Sequence, residues 1–337
     1  MAKIIDSLMR IDFSNVMDPS QMQRVVMLAW YAQVLALTLA QPYQLAKSLL
    51  PSLLDGFSSQ HPAKSIVKHQ RHIYGLQVVF GLIWASMVIM WLRPMFQDPI
   101  FVIRLFKMND VLDSYFIGVY LTVYCWLVQF NYVACFTVLC QSACCEVTEL
   151  NYEIEHFDKK RQSGAHDFVQ SVYARHNNIC HIVTVLDQMF SVWIVTVLGL
   201  LGPITILVVY ILIIGNDKTD ISVRLLAVFQ NGLQLLLATG IAARLHEKLH
   251  DTASALSQAH KLWAEVVQNK QTFNLAKSLL RQAHDITAFP LFGFGPLTKN
   301  TILTVVTAII SYLIILVQFA DSAQVNTHYM SVFIVRD

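Results

Sequence analysis

Residues 300–322 read NTILTVVTAIISYLIILVQFADS, a stretch of 23 residues with no charge before Asp321. At about 1.5 Å per residue a helix of this length crosses a bilayer. It is not uniformly apolar. On a helical wheel Asn300, Thr304, Thr307, Ser311, Gln318 and Ser322 fall within roughly 60° of one another, and Ile315 interrupts the same stripe at its edge. Lipid cannot solvate a polar face, so the stripe must meet other helices or water. Two readings follow. As a pore wall, the uncharged Thr, Ser, Asn and Gln side chains face water, and Ile315, beside Ile314, forms an apolar ring that stops conduction by dewetting. As a packing face, the Ser and Thr hydroxyls bond across to neighbouring helices.

The rest of the chain agrees with a membrane protein. Hydrophobic residues make up 55% of the 337 and charged residues 14%, with a mean hydropathy of +0.50, outside the range of soluble domains. Six strong apolar segments lie near 23–45, 74–96, 112–142, 188–214, 222–243 and 300–320. The first 20 residues are polar and mixed, unlike a signal peptide. A net charge of +2 gives no basic surface for nucleic acid. The expected fold class is therefore all-α, a polytopic transmembrane helical bundle.

Orientation follows from Lys and Arg. The loops 46–73, 143–187 and 244–299 carry fifteen of the 24, which puts these loops in the cytoplasm and the C-terminus outside. They are more than linkers. Residues 165–187 and 244–289 place apolar side chains at helical spacing, among them Val169, Val172, Ile179, Leu249, Leu256, Val266, Phe273, Ala276 and Leu280. With no Pro or Gly before Pro290, they extend the membrane helices at 188–214 and 222–243 into a cytoplasmic bundle. Pro290, Gly293, Gly295 and Pro296 then turn the chain into its last helix.

The expected organisation is N-terminal membrane helices over 1–142, a cytoplasmic helical region over 143–187 and two membrane helices over 188–243. Cytoplasmic helices and a turn follow over 244–299, the last membrane helix over 300–322 and an extracellular tail over 323–337. The six cysteines map to membrane helices or the cytoplasmic side, so they form no extracellular disulfide framework. Cys144-Cys145, at a helix end, reads either as an S-palmitoylation site or as helix packing.

The sequence Ser311-Tyr312, five apolar residues, Gln318-Phe319 resembles the C-terminal signature of the insect gustatory receptors, Thr-Tyr-(five apolar)-Gln-Phe, with Ser in place of the usual Thr. The resemblance extends over residues 110–322, including the turn ITAFPLFGFGPLT at 286–298. It implies a chemosensory receptor at the plasma membrane, a non-selective cation channel gated by a small-molecule tastant. The subunit would assemble as a homotetramer, or a heterotetramer with other gustatory receptors, around a central pathway lined by the last helix. Thr304, Thr307, Ser311, Ile315, Gln318 and Ser322 would then line the pore. The family has seven membrane helices. Counting back from the last, the segment at 23–45 corresponds to its second, so its first is expected to be missing here. The family also implies a ligand pocket in the outer half of the bundle, where Tyr120, Tyr124, Gln230 and Gln234 are the candidates. No cofactor is expected, and no enzymatic activity.

Three alternatives were open on sequence. His246-Glu247-Lys248-Leu249-His250 matches HExxH, which on a helix places two zinc ligands and a general base on one face of a metalloprotease. Asp251, Glu265, His284 and Asp285 are candidates for the third ligand such a site needs. A non-channel polytopic receptor or a transporter is also compatible with the hydropathy. The chain has no Asp-Arg-Tyr and no Asn-Pro-x-x-Tyr, and the cores of 188–214 and 300–320 lack ionisable residues of the kind transporters use.

Overall fold

The computed structural model describes residues 19–46, 111–157, 164–214, 221–286 and 297–334, with single positions between 75 and 89 and Ala288 and Phe289. Among these residues the chain is helical throughout and has no strand. Helix α1 spans Pro19–Ala46, α2 Val111–Glu155, α3 Ala165–Thr196, α4 Gly202–Ile214 and α5 Ile221–Gln258. The short α6 covers His260–Val266, α7 Lys270–Asp285 and α8 Lys299–Ile334. Much of the segment expected at 74–96 lies outside the described residues, as does the turn's Pro/Gly cluster.

Among the described residues, four helical stretches are long and apolar enough to cross a membrane: Val123–Glu155, Ala165–Ile213, Arg224–Gln258 and Lys299–Gln318. In α1 the apolar part is shorter, Ala29–Ala40. The most extensive packing is between α2 and α5. Their interior is aromatic near one end, where Trp126 meets Trp84 at 5.4 Å and Trp30 at 6.2 Å between ring centroids. Further along, Phe136 lies 5.0 Å from Trp193 and 5.2 Å from Phe190 of α3.

Residues 165–214 form one rod. Between α3 and α4 the chain makes a single π turn, Val197–Leu201. The cause is two residues ahead. Pro203 has no N–H to donate and its ring clashes with the carbonyl four residues back, at Gly199. Widening the turn accommodates the proline without ending the helix.

The chain below α5 differs from a single unbroken extension. The helix breaks at Ala259, where ψ is 63°, and again before Asn269. Neither break needs Pro or Gly, because side chains take over the freed backbone groups. The Trp263 indole N–H donates to the Leu256 carbonyl at 2.8 Å, and the Asn269 side chain accepts from the Gln271 N–H at 2.9 Å as the N-cap of α7. Asn269→Ala should destabilise the bundle by about 1 kcal/mol, read as a lower melting temperature of the purified protein. An unchanged melting curve would show that the cap is not needed.

On α7 the buried residues are Thr272, Ala276, Leu279 and Ala283, one helical stripe on a helix that packs against both α3 and α5. This stripe is rotated from the Phe273, Ala276, Leu280 face expected from apolar spacing, since Phe273 instead stacks edge-on to Trp263 of α6 at 6.1 Å. Polar ties fix the lower bundle. His166 bonds Thr272 at 2.9 Å, Arg175 pairs with Glu153 at 2.6 Å, and Thr252 donates to Asn151 at 2.7 Å.

Candidate functional site

Helix α8 stands on the outside of the bundle. No residue of its apolar span is buried within the chain. It rests on α4 through Val305, Ile309 and Leu316, with Leu316 packed on Tyr210 and Ile211. Gly202, the first residue of α4, faces Ile309, whose side chain a Cβ there would meet at 3.9 Å, an ordinary van der Waals distance.

The polar stripe lies on the opposite side of α8. Asn300, Thr304, Thr307, Ser311 and Gln318 are all exposed, and Ile315 is 44% exposed among them. An open groove runs along Asn300, Leu303, Thr304, Thr307, Ala308 and Ser311. Two hydroxyls in it are already committed as donors. Thr304 donates to the Asn300 carbonyl at 2.9 Å and Ser311 to the Thr307 carbonyl at 2.8 Å. Their oxygens therefore turn only lone pairs outward, which makes an uncharged acceptor surface suited to cations and water. Tyr312 is 62% exposed on one flank of the stripe, and Leu303, Ile310 and Ile314 are exposed on the other. The side chains of Phe319 and Ser322 lie outside the described residues. The helix itself continues to Ile334, past the tail expected from residue 323, because nothing between 300 and 334 is Pro or Gly.

The four candidate ligand residues fall into two groups. Tyr120, exposed, stacks on Tyr124 at 6.4 Å, and the Tyr124 hydroxyl lies 3.3 Å from that of Thr38 on α1. Gln230 and Gln234 are buried and converge on a residue that sequence reasoning passed over. Gln129 Oε1 accepts from Gln230 Nε2 at 3.1 Å and from Gln234 Nε2 at 2.9 Å, while Gln129 Nε2 donates to Gln33 Oε1 at 3.4 Å. The cluster ties α1, α2 and α5 together at one level. Gln129 and Tyr124 are five residues apart on α2, hence about 140° apart around its axis, so the two groups face different neighbours. The available signal was the presence of amides within three apolar helices: Gln33 on α1, Gln129 on α2, and Gln230 and Gln234 on α5.

The HExxH residues are drawn into structural contacts. His246 is buried and its Nδ1 accepts the Ala288 N–H at 3.4 Å. Glu247 points away, to Lys299 Nζ at 2.6 Å. Among the described residues no three His, Cys, Asp or Glu side chains come together as a metal site would need. Of the cysteine pair, Cys144 is buried and Cys145 half-buried, so the packing reading holds for Cys144.

A bundle of long apolar helices, one of them carrying an unburied polar face, is the architecture of a multi-pass membrane protein. The family model described as 7tm Chemosensory receptor matches residues 54–322, and the chain belongs to that family. The family is one of receptors and not of enzymes. Among solved structures the chain is similar to the insect olfactory receptor OR5 from Machilis hrabei in complex with eugenol. The TM-score is 0.72 at 12% identity, over 94% of this chain and 85% of that one. A second structure of OR5 gives a TM-score of 0.73 at 11% identity over the same shares. At such identity the likeness shows a common fold. No curated protein sequence matches the chain.

Proposed function

We propose that this chemosensory receptor is a gustatory subunit of a tastant-gated, non-selective cation channel in the plasma membrane. Four subunits surround a pathway lined by α8. The observation that carries the reading is the position of the polar stripe, which lies on the far side of α8 from the face that rests on α4. In lipid such a face is costly, and a water-filled axis shared by several copies gives it solvent. The exposed flanks at Tyr312 and at Leu303, Ile310 and Ile314 then pack against the adjacent subunits.

Gating works by population shift. A small molecule bound in the outer half of the bundle, near Tyr120, Tyr124, Gln230 and Gln234, binds the open state better and so favours it. The Ile315 ring moves off the axis. The segments at 143–187 and 244–299 form the cytoplasmic anchor between subunits. The Ser-Tyr…Gln-Phe signature supports taste over smell, while the fold is shared with a receptor whose structure holds eugenol.

The reading is tested by expressing the chain in oocytes and applying sugars, bitter alkaloids and volatile phenols such as eugenol. The expected result is a cation current that persists with G-protein signalling blocked by GDPβS. A compound-evoked current abolished by GDPβS would overturn the channel mechanism. A response to volatiles alone would overturn the gustatory assignment. A C-terminal epitope should stain on unpermeabilised cells, and staining only after permeabilisation would reverse the orientation.

A further inference from the structure

Three described residues between α7 and α8 are deeply buried. Ala288, Phe289 and Leu297 are all essentially inaccessible. Phe289 has φ 50°, the left-handed region, which a bulky L-residue rarely adopts. Its ring packs 5.5 Å from Phe136 of α2, whose other neighbours are Phe190 and Trp193 of α3. A conformation of this kind persists only where the surroundings overdetermine it.

Two adjacent residues of α5 complete the hold. His246 takes the Ala288 N–H, one residue before the strained position. Glu247 takes Lys299, the first residue of α8. Between them, Thr298 and Thr301 exchange backbone and hydroxyl contacts at 3.3–3.4 Å and start α8 in register. The dipeptide that resembles half of a zinc motif thus grips both ends of the connection between α7 and the pore helix.

We propose that Phe289, His246 and Glu247 form a latch that holds α8 in the resting state, and that its release favours opening. The three act on the pore only through the connection, as positioning residues. This rests on the reading of α8 as the pore helix. When the latch opens, Phe289 regains an unstrained backbone, so part of what opposes opening is offset by relaxation at that residue.

The test is the ligand-free cation current per surface receptor, measured in symmetrical salt. Glu247 and Lys299 side chains are 50% and 73% exposed, so their coupling is modest and their replacement leaves the fold intact. E247K and K299E should each raise the current roughly two- to fivefold, as for exposed ion pairs, and the double variant E247K/K299E should return it to the wild-type level. Phe289→Ala should raise it further, with Phe289→Leu intermediate and single-channel conductance unchanged in all of them. If Phe289→Ala fails to reach the surface, the charge-swap result decides.

Single variants that match wild type, or a double variant that sums the two single effects instead of cancelling them, overturn the latch while leaving a conducting channel. Surface receptors that pass no cation current in wild type or any variant, with or without compounds, overturn the channel reading itself and the latch with it.

Discussion

Replacing Ile315 with Ser gives a receptor that leaks. In the proposed pore the apolar side chain at this position, repeated once per subunit, keeps the constriction dry. Wetting one isoleucine costs about 2 kcal/mol relative to leaving it out of water, and about 1.4 kcal/mol is tenfold in an equilibrium constant. The ligand-free cation current of Ile315→Ser should therefore rise about tenfold or more over wild type at equal surface expression. Ile314→Ser, a neighbour on the flank of the stripe, serves as the control and should leak less. Leak at the wild-type level in Ile315→Ser would remove Ile315 as the constriction.

Gln129→Leu should strongly destabilise the interior. Gln129 is fully buried and makes three interhelical bonds, two as acceptor and one as donor. Interhelical hydrogen bonds inside membranes are worth about 0.6 kcal/mol on average and about 1.7 at most. Three of them, with the amides of Gln33, Gln230 and Gln234 left without this partner in a dry interior, amount to about 2–5 kcal/mol. Detergent-purified protein should melt several degrees lower. Changing all four residues, Gln33, Gln129, Gln230 and Gln234, to Leu should recover most of the loss, because no polar partner is then stranded. A Gln129→Leu melting curve equal to wild type would show that the cluster contributes nothing, and a quadruple variant weaker than the single would show that the amides are needed for more than mutual satisfaction.

The parts of this protein legible in one sequence are those set by local periodicity. The uncharged run of 300–322 announces α8, and the spacing of Asn300, Thr304, Thr307, Ser311 and Gln318 announces its polar face, because both depend only on helical geometry. The continuity of 165–214 is legible for the same reason, although Pro203 marks the π turn only in retrospect.

What depends on tertiary contact is not legible. The breaks at Ala259 and before Asn269 need the Trp263 indole and the Asn269 cap, not a helix-breaking residue. The glutamine cluster joins residues about a hundred positions apart, and each amide alone looks like any polar residue in a helix. HExxH has the same spacing whether it binds zinc or grips a loop. Only its surroundings, Ala288 on one side and Lys299 on the other, separate the two. Phe289 is harder still. Left-handed φ invites an expectation of Gly, and Gly293 and Gly295 stand nearby, yet the phenylalanine takes it because its ring has a place beside Phe136.

The 165–214 rod touches both sides of the α7–α8 connection. Its α3 half packs on α7 and its α4 half on α8. At about 1.5 Å per residue it is some 75 Å long, with the π turn at 197–201 as the one interruption of its α-helical hydrogen bonding. A tilt about that turn would shift the α8 contact relative to the α7 contact, as a lever does with its fulcrum between two loads.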